Sequence, residues 1–206
     1  MDHETKAFFD RHAAKWDSYE TPAIIPVIEA ILDRAGVGPE DSVLDVGCGT
    51  GILAPHLEKR GVKRMCAVDL STEMVKEYQR KFPGRAVLAG DYEEPGLFRP
   101  GAFTKIIIFN AFPHFARRDR VFANSYNYLK PGGGLYIAHS MSRAELDRHH
   151  REAGEEVAEH MLYSNAGFRE LYAAAGFGQV EIDDGARFFA KGRSRSVNPA
   201  ASFGGG

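Results

Sequence analysis

The chain has 206 residues, 44% of them hydrophobic and 26% charged, and its formal net charge at pH 7 is −2. This length predicts a single domain over residues 1–193, and we expect a mobile tail over residues 194–206. The nearly balanced charge argues against a nucleic-acid partner, and no apolar run is long enough to cross a membrane. Two cysteines, Cys48 and Cys66, and an N-terminus unlike a signal peptide predict a cytoplasmic location.

Helix and strand patterns alternate along most of the chain. A rough apolar stripe predicts a helix over residues 6–19, and a second helix begins after Thr21-Pro22 and ends at Gly36. Strands are predicted at residues 42–46, 65–69, 85–89, 104–109 and 134–139, with helices between them near 52–60, 72–82 and 117–129. Such alternation is typical of a parallel sheet that is covered by helices on both faces.

The last third of the chain departs from this alternation. Lys130, Pro131 and three glycines are expected to separate the third of these helices from the fifth strand. Ser142 and Glu145 form a capping box for a longer helix. The remaining predicted elements are helices over 143–162 and 166–175, followed by strands over 178–183 and 186–191.

The most informative segment is residues 43–51, which reads Val-Leu-Asp-Val-Gly-Cys-Gly-Thr-Gly. Glycines permit a sharp turn and leave no Cβ between main chain and ligand, while the following helix presents unpaired N–H groups. A dinucleotide fingerprint requires a small residue three positions after Gly49, and Ile52 stands there. The loop therefore predicts a flat polar cofactor, and its spacing does not match the dinucleotide pattern.

The pattern Asp45-x-Gly47-x-Gly49-x-Gly51 resembles the first motif of the class I S-adenosylmethionine-dependent methyltransferases. The chain looks most similar to the small-molecule branch that includes the ubiquinone/menaquinone methyltransferases. The resemblance covers about residues 6–191. It implies S-adenosyl-L-methionine as the cofactor and in-line methyl transfer to a small-molecule acceptor. It also implies a Rossmann-like, doubly wound α/β fold, whose mostly parallel seven-stranded sheet ends in a C-terminal antiparallel hairpin.

The same resemblance assigns cofactor contacts at the carboxyl ends of the strands, where open α/β sheets bind ligands. Asp69 would accept hydrogen bonds from both ribose hydroxyls, and Asp91 would meet the adenine amino group. Asp45 would order the glycine loop or face the cofactor's ammonium group. Helices within residues 1–36 would cover the cofactor as a lid. The other expected contacts are Trp16, Gly47, Cys48, Gly49, Gly51, Leu70, Met74, Tyr92, Asn110 and Ala111.

Some of these residues also have simpler interpretations. Met74 fits a core position on its helix, and Asp91 fits an ordinary turn aspartate. Packing alone accounts for Trp16 and Tyr19. A structural role and a ligand role therefore both remain open at these positions.

Three histidines are the candidates for catalysis. His114 follows the fourth strand and His139 closes the fifth, so both should lie at one edge of the sheet, and His150 is expected to point inward from its helix. A histidine suits a general base because its ordinary pKa is near neutral, and His114 and His139 are the preferred candidates. The alternatives are hydrogen-bonded structural histidines, or a metal site for a thiol, metalloid or catechol-like acceptor. The spacing matches no strong metal motif, and no metal ligand is assigned.

Two further functions stay open on sequence grounds. One is a nicotinamide-dependent oxidoreductase, which the position of Ile52 disfavours. The other is a non-catalytic module that binds S-adenosylmethionine, because the glycine loop reports on binding alone. The acceptor and the oligomeric state are not predicted.

Overall fold

A computed structural model describes residues 3–19, 21–153 and 161–196. The strands in these ranges are β1 (Ser42–Val46), β2 (Arg64–Asp69), β3 (Ala86–Ala89), β4 (Phe103–Phe109), β5 (Leu129–Ala138), β6 (Gly178–Asp184) and β7 (Phe188–Arg193). The helices are α1 (His3–His12), α2 (Ile24–Arg34), α3 (Ala54–Lys59), α4 (Thr72–Lys81), α5 (Arg118–Tyr128), α6 (Arg143–Ala153) and α7 (Asn165–Ala174), with 3-10 segments at Ala13–Tyr19 and Phe112–His114.

The strands form one sheet in the order β3-β2-β1-β4-β5-β7-β6. Strands β1 to β5 run parallel to their neighbours, whereas β7 is antiparallel to β5 and to β6. This order confirms the predicted α/β fold with its antiparallel C-terminal hairpin. Val46 lies beside Val68 on one side and Ile108 on the other. The carboxyl ends of β1, β2 and β4 therefore meet at the point where the strand order reverses.

The central strands are buried on both faces. Every residue of β1 is buried, and so is every residue of β4 except Thr104. One core layer includes Leu44, Ile106, Ile108, Phe122 and Tyr172, and the opposite layer includes Val43, Ile107, Ile28, Leu32 and Phe189. A strand covered on both sides reads as a continuous apolar run, which explains Ile106-Ile107-Ile108. Two packed layers hold the carboxyl edge of the sheet rigid.

Two predicted element boundaries are wrong. The expected helix over residues 6–19 is divided, because α1 ends at His12 and a 3-10 segment continues to Tyr19. Strand β5 begins at Leu129 rather than at residue 134. Phe103 pairs with Leu129, and the register then shifts so that Lys105 pairs with Gly134. The proline and glycines therefore form an irregularity inside the strand instead of ending an element before it.

The helices agree more closely with the sequence signals. Ser71 caps α4 by accepting a hydrogen bond from the backbone N–H of Met74 at 3.1 Å. The predicted capping box is present, since the N–H of Ser142 donates to Glu145 at 3.0 Å. Residues 154–160 of the predicted long helix, and residues 197–206 of the predicted tail, lie outside the described residues. Within the described ranges, no helix has both the length and the apolar character needed to cross a bilayer.

Candidate cofactor and acceptor site

A cavity of about 930 Å³ lies at the carboxyl edge of the sheet. Its walls come from the N-terminal segment and from the loops that follow β1 to β5, with one residue from the β6–β7 turn. The predicted site residues in its lining are Trp16, Gly47, Cys48, Gly49, Asp69, Leu70, Met74, Tyr92, Asn110, Ala111 and His114. Among the described residues, Asp45, Gly51, Asp91 and His139 are not part of that lining.

The glycine loop makes two close approaches that a side chain would block. A Cβ placed on Gly47, whose φ is +68°, would lie 2.5 Å from the Cβ of Ala111. Gly51 has φ +99°, and a Cβ there would come within 2.7 Å of the rings of Tyr78 and Phe82. Gly47 thus brings the loops after β1 and β4 together, while Gly51 supports the loop against α4 from outside the cavity.

Asp69 joins the glycine loop to the end of β2. One carboxylate oxygen accepts the N–H of Gly49 at 2.8 Å, and the other accepts the N–H of Ser71 at 2.9 Å. Burial raises the pKa of Asp69 to about 6, although these two donors act in the opposite direction. Each oxygen keeps a further lone pair, so the carboxylate can also accept hydrogen bonds from a ligand in the cavity.

Asp45 is a buried carboxyl group in the middle of the sheet. It is 4% exposed, and burial together with the nearby Asp69 raises its pKa to about 8. In the described part of the chain its carboxyl group makes no hydrogen bond to the glycine loop. If Asp45 orders the glycine loop, as the sequence predicts, it does so without a direct hydrogen bond to that loop.

Residues after β3 combine structural contacts with exposure to the cavity. Asp91 accepts the N–H of Glu93 at 2.9 Å and pairs with Arg117 at 3.2 Å. These contacts correspond to the turn aspartate that was the simpler interpretation. Tyr92 lines the cavity, and its hydroxyl is 3.0 Å from the hydroxyl of Ser125, so the hydroxyl has a partner within the protein. Met74 is both a core residue and a lining residue.

The N-terminal segment contributes aromatic side chains to the wall of the cavity. Phe8, Phe9, His12, Trp16 and Tyr19 all line it. Trp16 is close to the glycine loop, because a Cβ on Gly49 would lie 3.6 Å from its indole nitrogen. The role of this segment as a lid over the cofactor stays a prediction.

Two aspartates of this segment hold it to α4, and the sequence reasoning overlooked both. Asp10 accepts a hydrogen bond from the hydroxyl of Ser71 at 2.6 Å, at the N-terminus of α4. Asp17 pairs with Lys81 at 2.9 Å, at the last residue of the same helix, and also accepts a hydrogen bond from Thr50. The sequence carries no local signal for these contacts, because the partners lie more than thirty residues away in the chain.

Asn110 connects the loops that follow β4 and β5. Its backbone has φ 53°, in the left-handed region that asparagine tolerates better than most residues. Its side-chain oxygen accepts the N–H of Ser140 at 2.8 Å, and its own N–H donates to Ala138 at 3.0 Å. The turn brings Asn110 and Ala111 to the wall beside Gly47.

The histidines do not share one environment. His114 is half-buried, lines the cavity and lies edge-on to Phe9, with ring centroids 5.1 Å apart. His139 is 1% exposed, and its N–H donates to the carbonyl of Phe188 at 2.9 Å, so the pairing of β7 beside β5 places it within the core. The structure therefore differs from the prediction that both face the site. His150 belongs to the backbone of α6, but its side chain lies outside the described residues.

The described residues carry two cysteines and no cluster suited to a metal ion. Cys48 and Cys66 are free thiols, and burial raises the pKa of each, which keeps them protonated. Across the described ranges, no group of three or more histidine, cysteine, aspartate or glutamate residues is arranged to hold a metal ion.

Comparison with known proteins identifies the family. A family model described as a methyltransferase domain matches residues 44–137. Over 200 residues the chain is 28% identical to the malonyl-[acyl-carrier protein] O-methyltransferase of Geobacter sulfurreducens, covering 85% of this chain and 70% of that protein. Over 140 residues it is 29% identical to the demethylmenaquinone methyltransferase of Beutenbergia cavernae, covering 66% of this chain and 58% of that protein. Together these matches indicate a class I S-adenosylmethionine-dependent methyltransferase.

The fold of this methyltransferase agrees with that assignment. It superimposes with TM-score 0.77 on a methyltransferase solved in complex with the Trm112 activator of Haloferax volcanii, over 91% of this chain and 97% of that chain, at 22% identity. The comparisons confirm the predicted resemblance and S-adenosylmethionine as the cofactor. They favour neither the oxidoreductase nor the non-catalytic module. The matched regions cover 70% and 58% of the two curated relatives. The acceptors of those relatives are therefore not assigned to this methyltransferase.

Proposed function

We propose that this methyltransferase transfers a methyl group from S-adenosylmethionine to a small-molecule acceptor that binds in the same cavity. The observation that carries the proposal is the single continuous cavity of about 930 Å³, which joins the glycine loop and Asp69 to an apolar wall. A volume of this order suits a nucleoside cofactor with a compact acceptor beside it. The aromatic N-terminal segment over the cavity leaves less room for a macromolecule, and the relatives' names include a quinone acceptor.

The cofactor half of the proposal assigns one task to each element. Asp69 accepts the ribose hydroxyls, because it has unused lone pairs facing the cavity. The loop at Gly47 and Gly49 receives the amino-acid end of the cofactor, and backbone groups of Asn110 and Ala111 complete that region. Asp91 is proposed to reach the adenine amino group from its turn, with the ring of Tyr92 beside the base.

The acceptor half of the proposal depends on alignment and on the exclusion of water. When bound, S-adenosylmethionine supplies a methyl group on cationic sulfur, which an acceptor lone pair takes in line while the carbon–sulfur electron pair stays on sulfur. Phe9, Phe115 and Met141 line the cavity and exclude water from the acceptor. Holding the acceptor in line with the methyl group turns a reaction between two separate molecules into a step within one complex. This alignment supplies much of the rate enhancement.

The binding step is directly testable, because Trp16 is the only tryptophan and lines the cavity. We expect its fluorescence to change on titration with S-adenosylmethionine and with S-adenosylhomocysteine, with micromolar dissociation constants that calorimetry reproduces. We expect no response to NAD. Release of S-adenosylhomocysteine across a panel of quinols, thiols and carboxylic acids then tests turnover. Binding of NAD alone would contradict the family role, and cofactor binding without turnover of any compound would favour the non-catalytic module.

A histidine base is part of the proposal at His114, because of the two predicted histidines whose side chains the structure describes, His114 is the one that lines the cavity. We expect His114→Gln to lower kcat about tenfold, which is less than the roughly 100-fold or more that a general base usually contributes, because an acidic acceptor is partly ionised without help. The affinity for S-adenosylmethionine should not change. The measurement is kcat against pH for the native protein and the variant. An unchanged kcat and pH profile would remove His114 from the chemistry, and His12→Gln provides a second cavity histidine for comparison.

A further inference from the structure

The turn between β6 and β7 contributes one charged residue to the cavity. Arg187 lies in the wall together with Ser140 and Met141. Among the described lining residues it is the only lysine or arginine, and Asp69 is the only carboxylate. Nothing in the assigned cofactor contacts uses this arginine.

The acids nearest to Arg187 in the chain are paired with other arginines. Asp183 accepts a hydrogen bond from Arg34 at 2.7 Å, and Asp184 pairs with Arg143 at 3.1 Å. The guanidinium of Arg187 makes no ion pair or hydrogen bond with any residue that the structure describes. Its charge is therefore available to a ligand, unlike that of Arg34 or Arg143.

The backbone beside Arg187 is held firmly. Phe188 is fully buried, its N–H donates to the carbonyl of Met141 at 2.9 Å, and its carbonyl accepts the N–H of His139 at 2.9 Å. These bonds fix the turn against the loop after β5, so the side chain of Arg187 starts from a defined point on the wall. The side chain of Arg187 is exposed, and the rest of the cavity lining is largely apolar and includes Phe115, Met141 and Ile24.

We propose that Arg187 binds an anionic group of the methyl acceptor, so that the acceptors are organic acids with an apolar body. A guanidinium donates two parallel hydrogen bonds to a carboxylate or a phosphate, and this planar geometry matches either anion. A cationic acceptor would be repelled both by Arg187 and by the sulfonium. The inference rests on the proposed function, since it names the class of acceptor for that same cavity.

The test compares acids with neutral analogues of the same shape. Calorimetry would measure the binding of benzoate, benzamide, hexanoate, hexanamide and phenyl phosphate to protein saturated with S-adenosylhomocysteine. We expect at least one of the two carboxylates to bind tenfold or more tightly than its amide. A comparison of benzoate with phenyl phosphate then shows whether the site prefers a carboxylate or a phosphate. In Arg187→Gln the acid and the amide should bind within about twofold of each other, whereas Arg187→Lys should keep part of the preference.

The control is Arg99→Gln, which removes the same charge from an exposed position outside the cavity and should leave the preference intact. Equal binding of acids and amides to the native protein, including no binding of either, would overturn the proposal, and so would a preference that survives in Arg187→Gln. The response of Trp16 to S-adenosylhomocysteine should be the same in all variants. Its loss in the native protein would refute the proposed function instead, so the two failures are distinguishable.

Discussion

Replacing Asp69 with asparagine should weaken the binding of S-adenosylmethionine about 100-fold. The carboxylate accepts the N–H groups of Gly49 and Ser71 and, in the proposed complex, two ribose hydroxyls. Hydrogen bonds to a charged acceptor contribute roughly 1.5–3 kcal/mol each, and an amide can satisfy only part of this set. Titration by Trp16 fluorescence, checked by calorimetry, measures the change.

The pH dependence gives this prediction a second readout. The pKa of Asp69 is about 6 in the free protein, and the ribose hydroxyls require the ionised form. The affinity of the native protein should therefore fall as the pH drops below 6, by up to about tenfold per pH unit. The asparagine variant should lack this decline.

The control for Asp69→Asn is Asp183→Asn. Asp183 also accepts a backbone N–H, from Gly185 at 3.1 Å, but lies outside the cavity. Its replacement should leave the affinity unchanged. An Asp69→Asn variant that folds and binds the cofactor as tightly as the native protein would show that the ribose contact is assigned to the wrong residue.

Replacing Asp45 with asparagine should change how stability depends on pH. The folded protein retains the proton of Asp45 up to a pKa of about 8, whereas the unfolded chain releases it near the ordinary value of about 3.9. Between these values the folded state binds more protons than the unfolded state, so the free energy of unfolding falls as pH rises. The slope approaches about 1.4 kcal/mol per pH unit well below pH 8 and halves at the pKa, so the loss is about 2 kcal/mol between pH 6 and pH 8.

The asparagine side chain has nearly the same shape and no charge to bury, so its contribution should be nearly independent of pH. Urea unfolding of the ligand-free proteins at pH 6, 7 and 8 measures the difference, and the profile of the native protein should be the steeper one. Glu40→Gln, which removes an exposed carboxylate, should have the profile of the native protein. Parallel profiles for the native protein and Asp45→Asn would show that Asp45 is already ionised in the fold at pH 6.

The glycine loop and Asp69 are site residues that local sequence patterns were sufficient to predict. Glycines at positions 47, 49 and 51 with an acid at position 45 predicted the turn, and an acid at the end of the second strand predicted the residue beside it. Parallel strands place their carboxyl ends at one edge, so residues at those ends could be grouped without coordinates. The same rule did not predict the orientation of His139, whose side chain is buried where β7 pairs with β5, although Ser140 and Met141 beside it line the cavity.

By itself, the sequence determined the alternation of strands and helices, the cofactor loop and the family, because each depends on residues that are close together in the chain. Tertiary structure decided which side chains share the cavity. The attachment of the N-terminal segment through Asp10 and Asp17, and the arrival of Arg187 beside Ser140, join residues dozens of positions apart. Such contacts depend on how elements pack, and no local periodicity or spacing encodes them.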